Sequence, residues 1–309
     1  QRRYEEVKQI GREFAALSPE LDGSEVASQI AILYDYDSLW ALETQPNVER
    51  GFGYTDMAQR YDAALSRLGI NTDVIGPASD WGPGVESGGC RFILAPCLHV
   101  LTPELVDRLR SWVRGGGTLL VGPRSGVKDV ENAVVNELLP GLLRELAGCT
   151  VEEYDAFSDI GGLDMRVQTA EGATYYAQGL ADVLAPEGEA RVLLTYADHY
   201  YAGRAAAVEN RYGQGRCIYL GTVLDDAGTR DMLRSWVAEP ASLQHREGLP
   251  ESVEISQRVK GEQRYTFYLN HSGGSVKVEL AAPGVDLLTG QQVEGNVEIP
   301  GFDLLIVKE

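Results

Sequence analysis

The sequence predicts a parallel α/β domain followed by a small all-β domain, and three observations carry that prediction. Between residues 29 and 238, short apolar runs alternate with amphipathic helical stretches. Strands separated by one helix each need crossover connections, which gives a parallel sheet with helices on its faces. Beyond Pro240 the intervening helices vanish, and short strand-like runs are separated by Gly-, Asn- and Pro-rich turns, the spacing of a small β-domain. A length of 309 residues also fits two domains at about 150 residues each. The expected division is a leading helix and linker over 1–28, the α/β domain over 29–238, and the β-domain over 241–309.

Tyr4, Val7, Ile10 and Phe14 fall at helical spacing with charges between them, so the chain opens on an amphipathic helix. Ser18-Pro-Glu-Leu-Asp-Gly-Ser24 is expected to break it. That leaves an apolar stripe whose partner lies outside the chain. Gln29-Ile-Ala-Ile-Leu-Tyr34 suits a buried parallel strand. Tyr54 to Leu68 is helical, with Met57, Tyr61, Ala64, Leu65 and Leu68 on one face and Gly69 as the stop. Asn71 to Ile75 and Arg91 to Ala95 are the next strands. Thr102-Pro103-Glu104 is a helix start, with a hydroxyl cap, Pro at the first position and an acid in the first turn. Leu105, Leu109, Trp112 and Val113 form its buried stripe, Gly115-Gly-Gly117 ends it, and Thr118 to Gly122 is a strand. Val192 to Tyr196 and Arg216 to Leu220 flank the turn Tyr212-Gly-Gln-Gly215 and read as antiparallel pairing, before a closing helix over Thr229 to Val237. Val253 to Val259, Arg264 to Leu269, Val276 to Leu280 and Leu304 to Val307 are the strands of the β-domain.

Composition narrows the function classes. A formal net charge of −19 repels phosphate backbones and anionic lipid, which sets nucleic-acid and membrane-surface roles aside. Apolar runs such as Thr118-Leu-Leu-Val121 fall far below the ~18 residues of a membrane span. Cysteines at 90, 97, 149 and 217 form neither a CxxC pair nor a scaffold-like spacing, which reads as a reduced, cytoplasmic protein. A start at Gln1 without a signal-like stretch reads as a piece of a longer polypeptide.

Candidate chemistry is sparse. A parallel sheet of this kind can host a glutamine amidotransferase-like nucleophile on a sharp turn flanked by small residues. The matching turn is Gly122-Pro123-Arg124-Ser125-Gly126, with Arg124 in the nucleophile slot and Pro123 removing an amide donor. Cys97 stands two residues from His99, a spacing that allows contact, but a structural cysteine at a strand end is the reading taken. His199, His245 and His271 are scattered without HxH or HxxxH spacing, so no metal site is expected. Asn136-Glu137 matches the acid/base pair of many retaining glycosidases, yet sits in a loop-like stretch without a barrel around it. Gly115-Gly-Gly117 follows a helix instead of opening one, so it is not a phosphate loop. Tyr34-Asp-Tyr-Asp-Ser-Leu-Trp-Ala-Leu-Glu43 lies past a strand's carboxyl end, where open α/β sheets place ligand-facing groups. Its acids and aromatics fit a subunit contact, a sugar-stacking face or a locally packed loop.

Ala31-Ile-Leu-Tyr-Asp-Tyr-Asp-Ser-Leu-Trp-Ala-Leu-Glu43 resembles the opening of the trimerisation domain of glycoside hydrolase family 42 β-galactosidases. Ala95-Pro-Cys-Leu98 with Leu101-Thr-Pro-Glu104, Gly115-Gly-Gly-Thr118 leading into Gly122-Pro-Arg-Ser-Gly-Val-Lys-Asp129, and Tyr196-Ala-Asp-His-Tyr-Tyr-Ala-Gly-Arg204 are similar in the same order. Tyr212-Gly-Gln-Gly-Arg216, Phe267-Tyr-Leu-Asn-His271 and Asp286-Leu-Leu-Thr-Gly290 extend the likeness through the β-domain. The resemblance implies a flavodoxin/class I glutamine amidotransferase-like trimerisation domain followed by a small all-β sandwich domain. Residues 1–16 resemble the last helix of a catalytic barrel. A barrel needs about 250 residues, and its paired glutamates have no counterpart here, so no catalytic, metal or cofactor residue carries over. The implied role is non-catalytic trimerisation and support of a retaining β-galactosidase, with its own barrel and further copies of itself as partners. Tyr36, Asp37 and Trp40 are expected to form one contact patch. Arg124, Lys128 and Asp129 are expected to form a second, with Arg124 offered to a carboxylate. The alternatives are a stand-alone carbohydrate-binding module and a divergent amidotransferase-like hydrolase acting through Cys97.

Overall fold

A computed structural model describes residues 2–26, 28–46, 52–81, 89–157, 165–240 and 248–309. Its contacts divide the chain into two compact units. One is made of Gln29–Ala64 and Thr72–Ser242; the other is made of Gln1–Ser28, Leu65–Asn71 and Leu243–Glu309.

The first unit is built on strands β2 (Ile30–Leu33), β3 (Thr72–Ile75), β4 (Phe92–Ala95), β5 (Thr118–Val121) and β11 (Gly215–Leu220). They pair in parallel in the order β3-β2-β4-β5-β11. Numbered along the chain, these five strands lie in the order 2-1-3-4-5. Residues of β2, β4 and β5 are buried throughout, which is why they read as unbroken apolar runs and not as alternating ones. Helix α4 (Pro103–Arg114) begins as its sequence requires: Thr102 Oγ1 accepts the Leu105 amide at 3.0 Å, and Pro103 occupies the first turn. Its Leu105, Leu109 and Val113 pack with Leu119, Val121 and Tyr219 in the main core. Each such aliphatic side chain contributes about 1.5–3 kcal/mol when fully buried. A close approach ends the helix, because a Cβ on Gly117 would lie 2.4 Å from the Trp112 ring.

The sheet is mixed, so the expected parallel-sheet class holds only for its first half, and the parallel and antiparallel parts share one sheet. Beyond β11 it continues antiparallel through β10 (Ala205–Tyr212), β9 (Arg191–Tyr196), β7 (Met165–Gln168), β8 (Thr174–Pro186) and β12 (Thr222–Leu224), with β6 (Cys149–Ala156) also on β8. The expected antiparallel pairing of residues 192–196 and 216–220 runs through β10, which lies between them. Strand β11 is therefore the seam, antiparallel to β10 and parallel to β5. The closing helix α6 (Asp226–Leu233) is capped by Asp225 and continues as a wider turn to Ala238. Two further helices, α3 (Tyr54–Arg67) and the short α5 (Arg144–Ala147), fall where amphipathic or turn-bounded sequence allows. Residues 36–44 were expected as a loop and form helix α2 (Tyr36–Thr44) instead.

The second unit carries a six-stranded antiparallel sheet in the order β1-β13-β14-β19-β16-β17: Glu25–Val26, Val253–Lys260, Gln263–Asn270, Leu304–Lys308, Gly284–Asp286 and Gln292–Val293. A two-stranded ribbon, β15 (Val276–Glu279) with β18 (Asn296–Ile299), packs Val278 and Ile299 against Val253, Ile255, Tyr268 and Val307 of the sheet. Helix α1 (Arg2–Leu21) runs past the expected break and includes Pro19. Its last turn is held from outside, since Lys260 Nζ donates to the carbonyls of Pro19 and Glu20. Lys308 Nζ reaches the Glu20 carboxylate at 2.6 Å and holds that carboxyl below its usual range. Tyr4, Val7, Ile10 and Phe14 are exposed, as the orphaned stripe requires. Among the described residues, no helix is long and apolar enough to cross a membrane.

Candidate functional site

The carboxyl ends of β2, β4 and β5 converge where the strand order reverses, the place where open α/β sheets present side chains to partners. Past β2, Asp35 caps α2: its carboxylate accepts from the amides of Asp37 and Ser38 and from Ser38 Oγ at 2.5 Å. Burial pushes the Asp35 carboxyl up, and these donors pull it down. Ser38 Oγ also accepts the Val100 amide at 3.1 Å, tying α2 to the loop after β4. The cap turns α2 so that Ser38, Leu39, Ala41 and Leu42 face inward. Tyr36 and Trp40 are left 59% and 58% exposed, with ring centroids 5.7 Å apart.

Past β5, residues 122–126 make the sharp turn that the two flanking glycines suggested. Arg124 has φ +61°, a left-handed conformation that is uncommon for a residue with a side chain. A Cβ on Gly122 would lie 1.8 Å from the Pro96 carbonyl oxygen, and one on Gly126 2.0 Å from that of Pro140. Ser125 Oγ donates to the Gly122 carbonyl and accepts the Leu98 amide, both at 2.8 Å.

Arg124 is 5% exposed, and its carboxylate neighbour belongs to its own chain. Its amide donates to Asp182 Oδ2 at 2.7 Å, its Nη1 lies 3.9 Å from Asp182 Oδ1, and its guanidinium stacks 3.9 Å over the Tyr154 ring. Its carbonyl takes the Nδ1 hydrogen of His99 at 2.9 Å, with the tautomer assigned from that geometry. Asp182 further accepts from Tyr219 Oη at 2.9 Å. Burial drives the Asp182 carboxyl upward, while Arg124 and Tyr219 favour its charged form. Lys128 is 6% exposed, and its Nζ donates to Gln45 Oε1 at the end of α2. Asp129 is half-buried, and its carboxylate accepts the amides of Glu131 and Ala133.

A surface depression of 270 Å³ joins the two expected patches, lined by Asp37, Trp40, Thr44, Val100, Asp129 and Asn132 among others. Asp37, Trp40 and Asp129 thus share one face, with the Tyr36 ring tilted beside Trp40 and Arg124 and Lys128 underneath. Exposed Val130, Val134 and Leu138 extend the same segment. Sequence reasoning missed Asp182, whose signal was a lone acid inside Leu180-Ala-Asp-Val-Leu184. It also missed Val130, Val134 and Leu138, whose near-regular spacing carried no partner.

The remaining candidates fall away from this face. Cys97 is fully buried and its thiol is pushed up by burial, while the Nδ1 of His99 goes to Arg124 and not to sulfur. Burial beside Arg124 and Lys128 lowers His99 to about 4, so the ring is neutral. Asn136 and Glu137 lie exposed in a loop. His199 is exposed over Tyr201, His271 bonds Glu254 at 3.0 Å, and His245 lies outside the described residues. Among the described residues, no group of three His, Cys, Asp or Glu side chains is placed to hold a metal. What the site offers is an aromatic and apolar surface on a rigid, charge-braced base.

Comparison with known proteins agrees with that geometry. Residues 28–244 match the family model described as a β-galactosidase trimerisation domain, and residues 252–309 match that of the β-galactosidase C-terminal domain. The chain is 31% identical to β-galactosidase BgaA of Clostridium cellulovorans over 271 residues, covering 88% of this chain and 39% of that one. It is 33% identical to β-galactosidase Bga of Halorubrum lacusprofundi over 271 residues, covering 83% of this chain and 36% of that one. The crystal structure of β-galactosidase from Bacillus circulans sp. alkalophilus superposes with a TM-score of 0.91 at 26% identity, covering 100% of this chain and 45% of that one. The chain therefore spans under half the length of these relatives.

Proposed function

The chain belongs to glycoside hydrolase family 42, as trimerisation and C-terminal domains of its β-galactosidases, and from that premise we propose that it forms the non-catalytic assembly platform of a homotrimeric enzyme. In this reading, terminal β-galactosides are hydrolysed with retention in a catalytic barrel that these 309 residues do not include, and this chain alone has no hydrolytic activity. The parallel order 2-1-3-4-5 supports a flavodoxin/class I amidotransferase-like ancestry for the sheet. The turn at Arg124 then stands as a nucleophile elbow whose nucleophile has been replaced by a buried cation.

One observation carries the assembly role. Tyr36 and Trp40 stand exposed beside a depression within the stretch that matches the trimerisation domain. Large aromatics left in solvent mark interaction surfaces. In a cyclic trimer each contact is heterologous, so this face meets a different patch on the next copy. Tyr36, Asp37, Trp40 and Asp129 supply the contact atoms, while Arg124 and Lys128 act from below. Four free thiols support a reducing, cytoplasmic setting. Light scattering over a concentration series tests the proposal. A mass of three times 33.7 kDa that Trp40→Ala lowers is the expected result. A stable dimer, or a trimer indifferent to Trp40→Ala, counts against it.

A further inference from the structure

Three segments remote in sequence, 35–45, 96–101 and 122–129, meet beneath the exposed face, and buried polar bonds tie each to the next. Ser38 Oγ links α2 to Val100. The His99 carbonyl accepts the Lys128 amide at 2.9 Å, and the Lys128 carbonyl accepts the Leu101 amide at 3.0 Å. Lys128 Nζ returns to Gln45, closing the circuit at the far end of α2. Asp182 of β8 holds the Arg124 amide and Arg124 in turn holds His99 through its carbonyl, beside the bonds of Ser125 Oγ and the Gly126 amide to Leu98.

We propose that the Asp182–Arg124–His99–Lys128 chain is a strut that positions the assembly face, so that Asp182 and Lys128 act on subunit contact without touching the neighbour. The inference rests on the trimerisation reading for its biological meaning, but its physical content is local. The depression is lined by the two segments that the strut joins, Asp37 to Thr44 on one side and Asp129 to Asn132 on the other. A left-handed turn at Arg124 is unfavourable for a side-chain-bearing residue and persists only where surroundings over-determine it. Here the surroundings are the Asp182 carboxylate and the two backbone carbonyls that exclude a Cβ at residues 122 and 126. Hydrogen bonds among buried polar groups are stronger than in water and stiffen the segments they join.

Amide hydrogen exchange on the 309-residue chain tests this. Asp182→Asn keeps one acceptor oxygen for the Arg124 amide and Tyr219 Oη, removes the charge, and turns an NH2 donor toward the Arg124 guanidinium. It is expected to speed exchange at residues 38–45 and 98–101 and at 126–133 by about tenfold or more, with β13 and β14 unchanged. Lys128→Met keeps the apolar stem and severs only the link to Gln45, so its acceleration is expected within 41–45 alone. Uniform acceleration across the α/β unit in both variants means ordinary destabilisation and overturns the strut, as does no change in either. Light scattering of the same samples separates the two claims. If Trp40→Ala leaves assembly intact while Asp182→Asn loosens the face, the trimer contact lies elsewhere and the strut stands. If Trp40→Ala weakens assembly while exchange in Asp182→Asn matches the parent, the contact stands and the strut falls.

Discussion

His99→Asn isolates the linkage between proton uptake and folding in the α/β unit. The imidazole is 1% exposed, bonds Arg124 through Nδ1, and is held down to about 4 by burial and by the neighbouring cations Arg124 and Lys128. Asparagine offers its side-chain amide where Nδ1 stood and removes the titration. As pH falls below 6.5, the unfolded chain takes up a proton at this ring that the folded chain refuses until about 4. Stability from this residue is therefore complete above its unfolded value and is lost as pH falls through that window. At about 1.4 kcal/mol per pH unit, the loss amounts to ~3 kcal/mol. Urea unfolding between pH 4.5 and 8 reads it through tryptophan fluorescence, because Trp40, Trp81, Trp112 and Trp236 all lie in the α/β unit. The variant is expected to be less stable near pH 8 through lost packing, and the gap to the parent should close by 2–3 kcal/mol by about pH 4.5. Parallel pH profiles for the two proteins would refute the reasoning, since they would mean that the ring titrates alike folded and unfolded.

Arg124→Ala is expected to cost about 3 kcal/mol by leaving the Asp182 charge buried without its partner. Arg124→Gly should cost about 1 kcal/mol less, because glycine adopts φ +61° freely, and urea midpoints give the comparison. Salt should stabilise the chain. Its net charge is −19, cations such as Arg144 and Arg216 are engaged by Glu187 and Glu209, and Glu25, Glu43, Asp73, Glu104, Glu137 and Glu294 are exposed without an ion pair among the described residues. The Tm is expected to rise with KCl up to about 1 M, where the screening length falls to ~3 Å. A Tm that falls over that range would show that the exposed pairs outweigh the self-repulsion.

The parallel half of the sheet was legible in sequence because β2, β4 and β5 are buried on both faces, which leaves unbroken runs such as Phe92 to Ala95. Of the antiparallel half, β9 and the turn into β11 were legible, while β6, β7, β8 and β10 were not. Strand β8 carries Gly179, Asp182 and several alanines, a composition of weak strand preference, and its conformation is set by β6, β7, β10 and β12 alongside it. Helix α2 escaped because five of its nine residues are aromatic, β-branched or acidic in a pattern that also suits a ligand loop, although Asp35 ahead of Ser38 was a capping signal. At the site, Tyr36, Asp37 and Trp40 were read as one patch and Arg124, Lys128 and Asp129 as a second; that Asp37, Trp40 and Asp129 line one depression was not legible, since 89 residues separate Trp40 from Asp129. That Arg124 and Lys128 point inward depended on Asp182 and Gln45, partners that no local periodicity announces.

The seam between β5 and β11 shapes how the chain is made. Thr118 pairs beside Arg216, 98 residues later, in parallel register. During synthesis, β5 thus leaves the ribosome long before its outer neighbour exists, and the whole antiparallel block from β6 to β10 is completed in the interval. Closing so long a loop is entropically slow, and until it closes the buried run Thr118 to Val121 is a bare strand edge. The late-made strand β11 is the one that shields β5 from pairing with a neighbouring nascent chain, so expression yield should respond more sharply to substitutions in Gly215–Leu220 than to equally buried ones in β4.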